Sequence, residues 1–220
     1  MPRGKFITFE GIDGCGKSTQ ARMLAQWLTD RGVPVIATRE PGGTAPGQAI
    51  RAVILNPALP VVPLTELLLY AADRAHHVRS LITPALESGQ LVLCDRYADA
   101  TMAYQGYGRG FDPELVTYLN QLATGGLRPD LTLLFDLDVA EGLRRVGERH
   151  EIKSGSPGDT VETGRVADRL DMEPMEFHTR VRQGYLALAA REPERFRLVP
   201  AAASMADIHQ QVISLIQTVL

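Results

Sequence analysis

The sequence predicts an α/β fold in three layers, a five-stranded parallel sheet flanked by helices, with a mobile lid. Short apolar runs recur at Phe6–Phe9, Val33–Thr38, Leu91–Cys94, Leu131–Leu137 and Phe196–Val199, and helix-length segments separate them. That alternation builds parallel sheets. Runs such as Leu131-Thr132-Leu133-Leu134-Phe135 are apolar almost without interruption, as strands are when helices cover both faces and neither side meets water.

After the first strand, Ala21, Leu24, Ala25 and Leu28 fall at i, i+3, i+4 and i+7, with Gly32 as a stop, which predicts a helix over Lys17–Arg31. Pro63 opens a long helical stretch carrying Leu67, Leu68, Ala71, Ala72 and Ala75. Pro84 predicts a kink or break near Leu81–Thr83, because proline lacks an N–H and clashes with the preceding turn. Further helices are read at Pro113–Ala123, Val139–Arg149, Met175–Ala190 and Ala206–Val219, the last an amphipathic surface helix. Glu151–Ala167 is polar, rich in Gly, Ser and Thr and without period, and predicts a mobile loop inside a lid at about 144–170.

A chain of 220 residues with 45% hydrophobic content suits one domain over 1–220. The net charge of -3 supplies no field for nucleic acid or an anionic membrane, and no apolar run reaches the ~20 residues needed to span a bilayer. The N-terminal segment lacks an h-region and is read as unprocessed. Cys15 and Cys94 are far apart, without CxxC spacing, so neither a disulfide framework nor a zinc site is expected, and a cytoplasmic protein is.

The first strand runs into Gly11-Ile12-Asp13-Gly14-Cys15-Gly16-Lys17-Ser18, then Thr19, a full match to G-x-x-x-x-G-K-[ST] between strand and helix. Such a P-loop wraps main-chain N–H groups around phosphates, and the helix N-terminus adds attraction. Lys17 is placed to reach the β- and γ-phosphates of ATP, and Ser18 to ligate Mg²⁺. The fold is therefore of the P-loop NTPase type. Leu91–Cys94 delivers Asp95 and Arg96 to the carboxyl edge of the sheet, where ligands of open α/β folds bind. Asp95 can hold Mg²⁺ directly or through water, and Arg96 can clamp a phosphate; the plainer alternative is a charge pair closing a strand end.

A P-loop does not by itself identify the acceptor. The segments Arg39-Glu40-Pro41-Gly42-Gly43-Thr44, Ala71-Ala72-Asp73-Arg74-Ala75 and Asp95-Arg96-Tyr97…Ala103-Tyr104-Gln105-Gly106, with FEGIDGCGKST before and PDLTLLFDLD and DRLDMEPMEFH after, together resemble the thymidylate kinase family from end to end. The resemblance implies transfer of the γ-phosphoryl group of ATP to dTMP, giving dTDP, by a homodimer. It implies that Arg74 reads the thymine edge, Tyr70 stacks on the pyrimidine in place of the family's usual phenylalanine, and Thr101 and Gln105 contact the base. It further implies that Tyr104 crowds the ribose 2′ position, Arg96 and Arg39 hold the acceptor phosphate, and Asp13 contacts the 3′-hydroxyl. Asp13 also reads as a loop cap.

Some members of the family place a catalytic arginine where this sequence has Gly14. The resemblance then points to the lid, with Arg144, Arg145, Arg149, Arg165 and Arg169 as candidates, Arg149 first and Arg145 second. The acceptor phosphate is already an anion, its second pKa near ~6, so no general base is expected, and the histidines and Trp27 read as packing or surface residues. Other small-molecule kinases are disfavoured by Arg74, Arg96 and Gln105. A GTPase-type switch is disfavoured because neither Asn56 nor Asn120 precedes a lysine, as its N-K-x-D segment requires.

Overall fold

The computed structural model describes residues 3–154 and 168–219. Five strands, β1 (Phe6–Glu10), β2 (Val35–Arg39), β3 (Leu91–Asp95), β4 (Leu131–Asp136) and β5 (Phe196–Pro200), form one all-parallel sheet in the order β2-β3-β1-β4-β5. The predicted five-stranded sheet is present. β1, β3 and β4 are buried almost throughout, whereas the edge strands are more open, β2 with no fully buried residue and β5 with two. Near-continuous hydrophobicity thus marks the three central strands. Phe9 and Phe135 stack across β1 and β4, ring centroids 6.0 Å apart.

The helix α1 (Lys17–Thr29) buries Ala21, Leu24 and Leu28, the face the spacing gave; each buried leucine stabilises by roughly 1.5–3 kcal/mol. The helix α2 (Ala45–Leu55) is an element the sequence reading left out. Its signals are Pro46 in the first turn and Thr44 at the N-cap, whose Oγ1 accepts from Gly47 N at 3.1 Å. Most of its residues are apolar, Ile50, Val53, Ile54 and Leu55 among them, but they form no single stripe, and only Gly47 and Ile54 are buried.

Where a kink or break was expected, the long helix instead runs on through a change of pitch. α3 (Pro63–His77) passes into a π-turn over Val78–Ile82, and α4 (Thr83–Glu87) follows with Pro84 in its first turn. Thr83 N donates to Val78 O, five residues back. The wider turn makes room for the proline ring. A second π-turn, Met102–Gly108, follows α5 (Ala98–Thr101) and leads to α6 (Pro113–Thr124).

α7 (Val139–Ser154) continues five residues past the predicted Arg149 end. The loop read at Glu151–Ala167 therefore begins in helix, and its remainder lies outside the described residues. α8 (Met175–Arg191) and α9 (Met205–Ile216) complete the covering layers. α9 carries more packing than a surface helix suggests: Ile208, Val212, Ile213 and Ile216 join the main core, and Gln20 Nε2 on α1 donates to Met205 O at 2.9 Å.

Candidate active site

β1 pairs with β3 on one side and β4 on the other, so the chain reverses its winding beside β1 and opens a crevice at the carboxyl ends. The crevice is a cleft of about 650 Å³. The P-loop closes one end. Gly11 has φ 138° and Gly14 has φ 83°, conformations that favour glycine. A Cβ on Gly11 would lie 2.5 Å from Phe135 O, and one on Gly14 would lie 2.2 Å from Gly142 O of α7. Position 14 therefore has no room for a side chain. Lys17 is buried, donates from Nζ to Ile12 O at 3.1 Å and stands 3.8 Å from Asp13. Ser18 lines the cleft at the first turn of α1.

Asp95 ends β3 facing this loop, and its Oδ1 is buried without a hydrogen-bond partner among the described residues. An orphaned carboxylate oxygen sharing a cleft with a serine hydroxyl suits a hard cation. Among the described residues no cluster of three or more His, Cys, Asp or Glu forms a metal site. Magnesium would therefore be held by Ser18, Asp95 and the nucleotide's own phosphates, as this ion usually is.

The acceptor end is made of side chains. Arg96 adopts φ 71°, the one non-glycine positive φ among the described residues, a strain that costs of order 1–3 kcal/mol and clusters at functional sites. Its guanidinium donates to Asp13 Oδ1 at 3.0 Å, Tyr104 OH at 2.9 Å and Tyr185 OH at 3.2 Å. Burial, the largest influence, disfavours its charge, but Asp13, Tyr104, Tyr185 and Asp95 together outweigh burial and raise its pKa well above the usual value. Tyr104 OH in turn donates to Asp13 Oδ2 at 2.8 Å. The acceptor-side arginine is thus tied directly to the P-loop.

Arg74 is almost wholly buried and three of its five N–H groups are engaged, by Glu40 Oε2 at 2.8 Å, Asn120 Oδ1 at 2.7 Å and Tyr97 O at 3.0 Å. It still lines the cleft, with Tyr70, Thr101, Gln105 and the exposed Arg39. Thr101 Oγ1 is buried without a partner among the described residues. Burial pushes the Tyr70 phenol up, keeping it neutral.

The arginines expected of a lid divide. Arg144 pairs with Glu141 and Glu148 on the exposed face of α7, and Arg145 pairs with Glu141 and donates to Ala201 O. Arg169 pairs with Glu66. Arg149 falls on α7, but its side chain, and all of Arg165, lie outside the described residues.

Several residues of this region were not foreseen: Arg22, Arg51 and Asp168 line the cleft, and the buried carboxylates Glu10, Glu40 and Glu66 hold its arginines and tyrosines. Arg51 lies on the helix that the sequence reading left out. The three glutamates gave one signal, a charge inside or beside an apolar run, which a buried carboxylate and a helix-end residue share.

A P-loop at one end of a cleft of about 650 Å³ that Arg39, Arg74 and Arg96 also line points to a phosphotransferase of the P-loop NTPase fold. The family model described as thymidylate kinase matches residues 9–212. A thymidylate kinase of Desulfovibrio desulfuricans is 50% identical over 216 residues, 98% of this chain and 96% of that protein. One from Pelotomaculum thermopropionicum is 46% identical over 219 residues, 99% and 95% of the two chains. The crystal structure of thymidylate kinase from Ehrlichia chaffeensis superimposes with a TM-score of 0.74 at 34% identity, covering 98% of this chain and 99% of that one. The chain belongs to the thymidylate kinase family, whose members phosphorylate dTMP to dTDP with ATP.

Proposed function

We propose that this enzyme transfers the γ-phosphoryl group of ATP to the 5′-phosphate of dTMP through the residues gathered at the cleft. The observation that carries the reading is the Arg96–Asp13–Tyr104 cluster, which fastens an acceptor-phosphate clamp to the donor loop at 2.8–3.0 Å. The P-loop N–H groups and Lys17 hold the donor phosphates; Ser18 and Asp95 would hold Mg²⁺, which would supply positive charge against the phosphates. Arg96 and Arg39 hold the acceptor phosphate in line, Tyr70 stacks on the base, and Arg74, Thr101 and Gln105 read its edge. Tyr104 crowds the 2′ position, and Asp13 meets the 3′-hydroxyl.

The transition state is loose, with charge over the equatorial oxygens, so positioning and cations supply the rate. No general base is needed, because the acceptor phosphate is largely dianionic near neutral pH. With position 14 closed against α7, Arg149 supplies the remaining cation from the lid, 144–170.

The homodimer is supported by an exposed apolar face on two adjacent helices, Leu64 and Leu68 of α3 with Leu115, Tyr118 and Leu122 of α6. A cytoplasmic setting is supported by free, buried Cys15 and Cys94. Among the described residues no helix is long and apolar enough to cross a membrane. The test is ADP release from Mg·ATP with dTMP, dUMP, dCMP, dAMP and dGMP as acceptors. Strong preference for dTMP is expected; release that ignores the monophosphate would sink the acceptor-site reading and leave only the nucleotide-binding loop.

A further inference from the structure

Glu66 of α3 is a fully buried carboxylate that neither phosphate site uses. It accepts from Gln105 Nε2 at 2.7 Å and from Arg109 Nη2 at 3.1 Å and Nε at 3.3 Å, and it pairs with Nη2 of Arg169. Arg109 reaches on to Glu173 at 2.6 Å, and Arg169 Nε donates to Ile54 O at 3.1 Å. Burial pushes the Glu66 carboxyl up, but the donors Arg109, Gln105 and Arg169 outweigh it and hold the group below its usual value. Glu66 is therefore an ionised carboxylate, which can only accept.

That fixes something in Gln105. A primary amide donates at one end and accepts at the other, and nothing in its own shape decides which end faces a ligand. Against an obligate acceptor the NH₂ must turn to Glu66, so the carbonyl Oε1 points elsewhere. Gln105 is buried and lines the acceptor end of the cleft, and its Oε1 has no partner among the described residues. The cleft meets an acceptor that cannot swap with a donor.

We propose that Glu66 is a positioning residue for base selection: by locking the Gln105 amide, it makes the cleft favour a pyrimidine with a ring N3–H, thymine or uracil, over cytosine, whose N3 is itself an acceptor. This rests on the reading of Gln105 as a base contact. Acceptor facing acceptor leaves both groups desolvated and unpaired, the arrangement by which polar sites reject near-isosteres. A purely structural Glu66, fastening α3 to Arg109 and Arg169, would affect all acceptors alike.

The experiment measures kcat/KM for dTMP and for dCMP at saturating Mg·ATP in the parent, Gln105→Met, Glu66→Gln and the double variant. Gln105→Met should lower the dTMP:dCMP ratio about 100-fold. Glu66→Gln should lower it about 10-fold or more, because an amide at 66 can donate or accept and frees Gln105 to turn over. The double variant should fall no further than Gln105→Met, the non-additivity expected of one residue acting through another. If Gln105→Met leaves the ratio intact, Gln105 does not touch the base, and both the reading and the inference fail. If Gln105→Met collapses the ratio but Glu66→Gln lowers both acceptors equally, the reading stands and the positioning role is overturned. Should Glu66→Gln prove unfolded by circular dichroism, the pair Glu66→Gln with Arg169→Gln, which removes a cation with the anion, carries the same expectation and the same refutation.

Discussion

The donor end of the cleft comes from one continuous stretch, Gly11–Ser18, main chain with the side chains of Lys17 and Ser18, whereas the acceptor end is made of side chains from β2, α3, β3, α5 and the second π-turn. Their tolerances differ accordingly. Main-chain N–H groups survive almost any substitution that spares the glycines, and the loop's shape is enforced by contacts as near as Gly14 against Gly142. The acceptor end survives only while its arginines and amides are oriented, which falls to carboxylates: the buried Glu40 for Arg74 and Glu66 for Gln105, and the half-buried Asp13 for Arg96. A site built on backbone is specified locally. One built on side chains is specified by pairs 34 to 83 residues apart.

The largest expected effect tests the donor side of that contrast. Lys17→Ala should lower kcat by about 10²–10³, the size seen on removing one preorganised donor to developing charge, with KM for dTMP little changed. An equal rise in acceptor KM would mean that the two ends are not separable. Arg96 tests the join between them. Arg96→Ala and Arg96→Gly should each cost about 10²-fold in kcat/KM for dTMP. The glycine variant should be the more stable by about 1–2 kcal/mol, because φ 71° is free for glycine and strained for alanine. Identical denaturation midpoints would show that the Arg96 backbone relaxes once its guanidinium is gone.

The same contrast governs what was legible in the sequence. The P-loop, its strand and the burial face of α1 followed from spacing, because each depends on residues within one or two turns. Asp95 followed from an apolar strand ending in an acid. The side chains of the acceptor end were reached through resemblance to a family, and of the residues that hold them only Asp13 was singled out: Glu40, Glu66 and Tyr185 differ in no local respect from surface glutamates and core tyrosines. α2 was missed because its apolar residues, Ala49, Ile50, Ala52, Val53, Ile54 and Leu55, run together without a one-sided period, though Thr44 and Pro46 mark its start.

A smaller effect comes from Thr101, whose Oγ1 is buried and without a partner among the described residues. Thr101→Val removes a desolvated hydroxyl at nearly constant shape. The ligand-free enzyme should gain about 1 kcal/mol in chemical denaturation, while KM for dTMP rises about 10-fold from one lost hydrogen bond. A loss of stability instead would mean that the hydroxyl is satisfied by water and that the acceptor end is wetter than its carboxylate network implies.

The smallest effect concerns Glu10, which supports the acceptor end from beneath. It is wholly buried, and its Oε1 accepts from Tyr97 N at 2.7 Å and its Oε2 from Tyr185 OH at 2.8 Å. Burial, and then the charge of Asp99, push its carboxyl from 4.5 up to about 8, against the pull of Arg96, Tyr185 and Tyr97. A carboxyl raised on folding binds its proton more tightly in the native state. Its contribution to stability is therefore complete below the unfolded value of 4.5 and is lost as pH rises towards about 8. The melting temperature should fall across that window, and Glu10→Gln, which cannot ionise, should fall less, by about 3 °C or more for a chain of this size. Parallel curves for parent and variant would show that Glu10 is ionised throughout. Tyr185 would then deliver its hydroxyl proton to a carboxylate and present its oxygen to Arg96 as a fixed acceptor at every pH where the enzyme works.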